Sequence, residues 1–173
     1  NITVKANGAF AGFYNYPGSG GYAANIEVRG GQYGVFAPTL RGGASVIVGL
    51  KLSGQTARPF HATGQYPITF VGFDIKSDTG PLIDRRNYYH DSSGHIALID
   101  GTLDLTSTVD QPLIQNTNRS IYLKNVYARG GTHVVHHSES GAFLEAPNTT
   151  DWSLISEYSF TDGASFIDGM VNG

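Results

Sequence analysis

Residues 118–129 read Asn-Arg-Ser-Ile-Tyr-Leu-Lys-Asn-Val-Tyr-Ala-Arg, and this stretch decides the fold. An apolar alternation over Ile121-Tyr-Leu123 is followed by Asn125 and then by a second alternation over Val126-Tyr-Ala128. Alternation with period two is typical of a strand whose two faces differ, and an amide or small residue between two such runs indicates a bend. The stretch therefore predicts two short strands that meet at a corner.

The same alternation returns along the chain with a nearly regular period. Its copies begin at Ile2, Ile26, Val46, Ile68, Ile96 and Ile121, with spacings of 24, 20, 22, 28 and 25 residues. Such a period holds two or three short strands, so each copy can form one turn of a coil that stacks on the next. Short apolar runs predict third strands over residues 58–62, 81–84 and 112–115. The sequence thus predicts a parallel β-helix of six to seven turns, with a β-sandwich or jelly roll as the alternative.

The composition fits one all-β domain over residues 1–173, either complete or as a piece of a longer solenoid. Hydrophobic residues make up 40% of the chain, charged residues only 14%, and there are 23 glycines. Gly and β-branched residues interrupt every stretch long enough for a helix, which disfavours helical folds. The start at Asn1, without Met, indicates a mature or excised piece.

Charge and cysteine content exclude several classes of partner and site. The net charge is −3 and the 11 basic residues are scattered, so we expect neither a nucleic acid nor an anionic membrane as partner. No apolar run approaches the roughly 20 residues of a membrane-spanning helix. The absence of cysteine excludes disulfides and thiolate zinc sites.

From Asn25 to Arg129 the pattern resembles the right-handed parallel β-helices of the pectate lyase-like superfamily, whose members mostly cleave or bind acidic and neutral polysaccharides. The resemblance implies a right-handed coil, a polysaccharide or oligosaccharide partner and, since such polymers are extracellular, a secreted protein. The Asn-Thr-Asp, Asp-Asp and Gly-His-Gly segments of polygalacturonases are absent, and Gly94-His95-Ile96 only partly matches the last of them. The resemblance therefore assigns no catalytic residue, cofactor or metal ligand.

Stacking the turns by their corners predicts two outward rows of side chains. If Gly72, Asp100 and Asn125 occupy one corner, the next outward positions hold the residues Asp74, Thr102 and Tyr127, followed by Lys76, Asp104 and Arg129. Asp74 and Asp104 then lie diagonally on neighbouring turns, which suits two carboxylates that flank a glycosidic bond. We expect this pair to be catalytic, with Lys76, Tyr127 and Arg129 as substrate contacts. Ordinary cross-strand charge pairing is the alternative interpretation of both rows.

Three further segments carry candidate residues. In the insertion 84–91, Arg85 is expected to clamp an anionic group, Tyr88 to stack on a sugar and His90 to move a proton. In the His-rich segment 132–139, strand alternation places His133 and His137 on one face and His136 on the other. His133 is a candidate base or substrate ligand, and the spacing matches no zinc site that we recognise. The alternating segment 152–160 predicts a strand pair or another turn, with its Trp152 either in the core or as a sugar platform and Glu157 as a further acid candidate.

Three functions remain open from the sequence. The first is glycosidic hydrolysis by Asp74 and Asp104, without a cofactor or metal. The second is a polysaccharide lyase that uses Lys76, His133 or Arg129 as its base. The third is a glycan-binding adhesin or tail-fibre β-helix without enzymatic activity.

Overall fold

In the part of the chain that it describes, the computed structural model contains β-strands and no helix. That part comprises residues 1–15, 20–37, 45–63, 67–85, 95–107, 110–117, 120–146 and 150–161, together with the backbone of 164–172. The strands in chain order are β1 (Ile2–Lys5), β2 (Ala11–Tyr14), β3 (Gly21–Ala24), β4 (Ile26–Arg29), β5 (Tyr33–Ala37), β6 (Ser45–Val48), β7 (Lys51–Ser53), β8 (Arg58–Ala62), β9 (Ile68–Val71), β10 (Asp74–Ser77), β11 (Ile83–Arg85), β12 (Ile96–Leu105), β13 (Ile114–Asn116), β14 (Ile121–Arg129), β15 (His133–His137), β16 (Phe143–Glu145), β17 (Ser153–Thr161) and β18 (Ala164–Asn172).

The strands form a parallel β-solenoid of about five turns with three faces. The first face contains β3, β6, β9 and the first halves of β12 and β14. The second face contains β1, β4, β7, β10 and the second halves of β12 and β14. The third face contains β2, β5, β8, β11, β13 and β15. The predicted parallel solenoid is confirmed, whereas the β-sandwich alternative is not.

The corner between the first and second faces is built from left-handed backbone. Five stacked residues have φ between 51° and 67°, namely Asn25, Gly49, Gly72, Asp100 and Asn125. Gly, Asn and Asp accept this conformation more readily than other residues, which is why the sequence breaks its apolar alternation there. The Asn125 side-chain amide donates to Asp100 Oδ1 at 3.0 Å, so the corner also carries a side-chain ladder. The corner predicted from Gly72, Asp100 and Asn125 is confirmed.

The inward residues of each face stack in rows to form one apolar core. On the second face, one such row runs through successive turns and is almost completely buried, with the members Val28, Leu52, Ile75, Leu103 and Ala128. Burying an aliphatic side chain of this size contributes roughly 1.5–3 kcal/mol, so these rows hold the turns in register. The outward residues between them are consequently fixed in position relative to their neighbours on adjacent turns.

Antiparallel strands replace the sixth and seventh turns that the period predicts. β17 pairs antiparallel with both halves of β14, and β18 pairs antiparallel with β17. On the third face, β16 pairs antiparallel with β15. The alternation over 152–160 is therefore one strand, β17, and neither a strand pair nor another turn. It ends the parallel stack, and the expected number of turns was too high.

Two of the repeat copies belong to a different face from the others. Ile2 and Ile26 pair with each other on the second face, whereas the copies from Val46 onward lie on the first face. On the first face, the residue that pairs with Ile68 is Ser45 and not Val46. The repeat copy assigned to Val46 therefore begins one residue earlier than predicted. Val46 accordingly points to solvent and is 38% exposed. An apolar alternation repeats on every face of a solenoid, so its spacing alone does not separate them.

The third face breaks strand alternation in the same way in three strands. In β5, β8 and β15, two consecutive buried residues separate two outward residues, so that positions i and i+3 share the outer face. His133 and His136 are therefore both outward, with ring centroids 6.1 Å apart, and His137 is inward and buried. The expectation that His133 and His137 share a face was wrong, because Val134 and Val135 are both buried and interrupt the simple alternation of β15.

The inward His137 links the third face to the closing strand β17. Its ring stacks on Phe160 with a centroid distance of 3.6 Å, Nδ1 lies 3.1 Å from the Thr117 carbonyl oxygen, and Nε2 lies 3.1 Å from the Tyr158 hydroxyl. Because a carbonyl only accepts, Nδ1 carries the proton of the neutral ring and Nε2 accepts from Tyr158. Burial lowers the pKa of His137 and raises the pKa of Tyr158 to about 12.

We expect the free energy of unfolding to fall at acidic pH because of His137. Its pKa in the folded chain is lower than the ordinary value of 6.5, so the unfolded chain takes up the proton first as the pH decreases. The part of the free energy of unfolding that depends on the neutral His137 ring is fully present above pH 6.5. Below that pH it is lost by up to about 1.4 kcal/mol per pH unit. Urea unfolding at several pH values on both sides of 6.5 measures this slope. The His137→Gln variant should lose the part of this slope that His137 causes. An unchanged slope in the variant would contradict the assignment to His137.

Candidate functional site

The two predicted rows lie side by side on the outer surface of the second face. Asp74 pairs with Thr102 and Thr102 with Tyr127, while Lys76 pairs with Asp104 and Asp104 with Arg129. The register prediction is therefore confirmed for all six positions. The rows border an open groove of about 670 Å³, which we call the ladder groove and whose lining includes Lys51, Asp74, Lys76, Thr102, Asp104, Tyr127 and Trp152.

Asp104 is held by two cations from the neighbouring turns. Arg129 Nε donates to Oδ1 at 3.0 Å and a terminal nitrogen of the same guanidinium donates to Oδ2 at 2.9 Å, which is a bidentate ion pair. Lys76 Nζ lies 3.4 Å from Oδ2, and Asp104 is only 4% exposed. The hydrogen bonds to Asp104 raise the pKa of Arg129. A ligand therefore reaches the carboxylate only by displacing one of the two cations.

Asp74 has a more open setting than Asp104. It is exposed, and its Oδ1 accepts a hydrogen bond of 2.7 Å from the Thr102 hydroxyl on the next turn. The two acids are one strand and two residues apart, which corresponds to roughly 8 Å between their Cα atoms in a parallel sheet. The structure thus brings both candidate carboxylates to one surface, with Asp74 presented to solvent and Asp104 engaged in an ion pair.

Besides the buried Phe73, the aromatic residues Tyr127 and Trp152 line the same groove. Tyr127 is 48% exposed at the end of the first row, and Trp152 lies just before β17. The Arg129 guanidinium carbon is 4.6 Å from the centroid of the Trp152 ring. Arg129 therefore lies between a carboxylate and an aromatic face, which fixes its position through an ion pair and a cation–π contact.

The remaining predicted residues do not join the ladder groove. Arg85 lies in β11 on the third face and is buried, so it is not the exposed loop clamp that the sequence led us to expect. His133 lines a separate pocket on the outside of the third face. Tyr88 and His90 lie outside the described residues. Glu157 accepts a hydrogen bond of 2.8 Å from the Tyr122 hydroxyl, so it is engaged on the first face.

The outside of the third face carries polar residues that the sequence interpretation missed. Asp84 is fully buried there, with its Oδ2 3.5 Å from His61 Nδ1 and 3.7 Å from Arg58 Nε. The neighbouring pocket of about 410 Å³ is lined by Arg58, Gln115, His133 and His136, among others. The recurrence of large or charged residues three apart, as in Arg58 and His61, was the sequence signal for this surface.

Two further properties concern metals and membranes. Among the residues that the structure describes, no group of three or more His, Asp or Glu side chains is placed to bind a metal ion. The same residues include no helix with the length and apolar character needed to cross a lipid bilayer.

Comparison of the chain with protein-family models, with curated proteins and with solved structures finds no match. The likeness to the pectate lyase-like proteins therefore rests on the parallel solenoid and its corner alone. What these observations establish is a parallel β-solenoid with an ordered ladder of charged and aromatic side chains on its second face.

Proposed function

We propose that the ladder groove binds a carbohydrate. The observation that carries this proposal is the half-exposed ring of Tyr127, which lines the groove together with Trp152 and lies at the end of a row of hydrogen-bonding side chains. A sugar ring offers apolar C–H faces together with hydroxyl groups, and it matches a site that combines aromatic surface with a few fixed polar groups.

The charges of the groove support binding through hydrogen bonds rather than through net charge. Its acids are Asp74, Asp100 and Asp104, and they are balanced by Lys51 and Lys76 in the lining and by Arg129 beside it. Several of these groups already contact one another across the turns, so little side-chain freedom remains to be lost on binding. Cross-strand pairing accounts for these contacts equally well, but it does not account for an aromatic ring left open to solvent.

Replacing Tyr127 by Ala is expected to weaken the binding of an oligosaccharide by about tenfold, because the variant loses the stacking surface. Screening of soluble oligosaccharides by NMR, followed by calorimetric titration, measures this change. Tyr22→Ala is the matched control, since Tyr22 is 68% exposed on the first face. Equal affinities of the two variants would remove Tyr127 from the site, and the absence of any oligosaccharide ligand would contradict the proposal as a whole.

We also propose glycosidic hydrolysis as a second candidate function, because Asp74 and Asp104 lie on adjacent turns within one groove. In this mechanism Asp74 donates its proton to the glycosidic oxygen, which leaves with the departing sugar. After one of its two cations has been displaced, Asp104 acts as the carboxylate. It either activates a water that attacks the anomeric carbon, or attacks that carbon itself to form an ester that water then hydrolyses. Membership of the pectate lyase-like superfamily and secretion belong to the same proposal, and a lyase reaction is the outcome to be distinguished from it.

A further inference from the structure

The third face carries a row of aligned residues that is separate from the ladder groove and that is open to solvent on both sides of the buried Asp84. Strand pairing aligns seven positions on consecutive strands, and we call them the aromatic strip: Tyr14, Phe36, His61, Asp84, Gln115, His136 and Phe143. Six intervals of about 4.8 Å give the strip a length of roughly 29 Å. It runs along the axis of the solenoid, across the strands rather than along any one of them.

One end of the strip is an aromatic cluster that is open to solvent. The Tyr14 and Phe36 rings are 5.8 Å apart, Tyr33 lies 4.7 Å from Phe36, and Phe10 lies 4.9 Å from Phe36. His61 extends the cluster, with its ring stacked on Phe36 at 5.2 Å and an angle of 15°. Tyr14 is 62% exposed and Phe10 is about half exposed. Exposed aromatic side chains that cluster in this way make this end of the strip a candidate binding surface.

The other end of the strip also combines an exposed aromatic ring with histidine rings, but with fewer residues. Phe143 is half exposed, and its ring centroid is 4.6 Å from that of His133. Gln115 lies between the two ends, with its amide nitrogen 3.0 Å from His136 Nδ1. These residues, except Phe143, line the pocket of about 410 Å³ that also includes Arg58. The strip thus has aromatic surface at both ends and hydrogen-bonding side chains towards its middle.

The centre of the strip carries little uncompensated charge. Asp84 is fully buried beneath Arg58 and His61, so the guanidinium of Arg58 is paired with a carboxylate. The pocket also contains Asp110, a second acid. Among the described residues of this surface, Arg58 faces the two acids Asp84 and Asp110, so these residues do not favour an anionic ligand. Amide, imidazole and hydroxyl groups supply the remaining polar contacts.

We propose that the aromatic strip binds a neutral glycan chain that lies along the solenoid axis. A chain of sugar rings presents C–H faces to the aromatic residues at both ends and hydroxyl groups to Gln115 and His136 between them. A purely apolar partner would bury those polar side chains with only the hydrogen bonds that they make to each other, and leaving the rest of their hydrogen-bonding capacity unused is costly. The length of the strip favours an extended oligomer over a single sugar. This site shares no residue with the ladder groove, so it does not depend on the function proposed there.

The test uses the whole chain with cellohexaose and xylohexaose as neutral probes and a galacturonic acid hexamer as the anionic one. We expect a neutral hexamer to bind, and Tyr14→Ala and Phe143→Ala each to weaken its binding by about fivefold or more. Tyr22→Ala, on the first face, is the control that should keep the parent affinity. Thermal unfolding of each variant verifies that the fold is intact.

Each of four other results would overturn the proposal. They are the absence of binding by both neutral hexamers, unchanged affinity in both strip variants, tighter binding of the galacturonic acid hexamer, and concentration-dependent self-association that the strip variants abolish. The last result would assign the aromatic cluster to a protein partner. A loss of binding in Tyr127→Ala, with no loss in the strip variants, places the neutral chain in the ladder groove, so the two sites are tested separately.

Discussion

Replacing Gly130 by Ala is expected to lower the free energy of unfolding by about 3 kcal/mol. Gly130 has a φ of +80°, in the left-handed region, and a Cβ atom there would collide with the backbone carbonyl oxygen of Leu105 on the preceding turn. That oxygen cannot move aside as the end of a flexible side chain can. The substitution therefore adds overpacking between turns to the conformational cost of positive φ. Urea unfolding of the parent and the variant measures the difference.

Gly141→Ala is the matched control for this prediction. Gly141 also has a positive φ, +69°, but a Cβ atom there meets nothing within 4 Å. We expect its substitution to cost only the conformational part, roughly 1–2 kcal/mol. The difference between the two variants isolates the close approach of neighbouring turns. If both variants lose the same stability, the turns are less tightly packed at Gly130 than the structure has them.

If the ladder groove hydrolyses glycosidic bonds, Asp74→Asn and Asp104→Asn should each slow the release of reducing ends by at least about 100-fold. An amide neither donates a carboxylic acid proton to the leaving oxygen nor supplies a carboxylate. The measurement is reducing sugar released from a panel of acidic and neutral polysaccharides, with ultraviolet absorbance recorded for unsaturated ends. New absorbing ends would identify a lyase, and binding without new ends would leave the groove as a binding site only.

The two acid variants differ in their structural side effects, and this provides a control. Asp104→Asn loses the bidentate pair with Arg129, whereas Asp74→Asn keeps an oxygen that can accept the hydrogen bond from the Thr102 hydroxyl. Thr102→Val is the control variant, because it removes the hydrogen bond to Asp74 and leaves both carboxylates in place. Rates that are unchanged in both Asn variants would exclude the pair as the catalytic machinery.

The two rows of the ladder groove could be predicted from the sequence because a single feature, the left-handed corner, determines which residues stack on each other. A left-handed corner needs Gly, Asn or Asp, so Gly72, Asp100 and Asn125 could be aligned without knowledge of the loops between them. Once the corner was aligned, side-chain alternation determined the outward positions that follow it, including Asp74 and Asp104. Cross-strand charge pairing was one of the two interpretations of these rows, and the ion pair of Asp104 with Arg129 agrees with it. The near-complete burial of Asp104 was beyond prediction, because burial depends on the side chains of the neighbouring turns.

Two features could not be predicted from the sequence, for separate reasons. They are the reversed direction of β17 and the broken alternation on the third face. The alternation over 152–160 is the same whether a strand runs parallel or antiparallel, so it did not reveal that β17 reverses. The outward placement of both His133 and His136 depends on two consecutive buried valines, Val134 and Val135. Such an irregularity contradicts simple alternation and becomes apparent only when the equivalent positions of β5, β8 and β15 are compared.

The reversed strand β17 also restricts how this molecule can be lengthened. Because it lies antiparallel along both halves of β14, an additional coil appended after β14 would have to displace it, whereas a coil duplicated within the parallel stack would find two matching neighbours. Each inserted coil would extend the ladder groove and the aromatic strip together, by about 4.8 Å. The lengths of the two surfaces are therefore both determined by the number of coils.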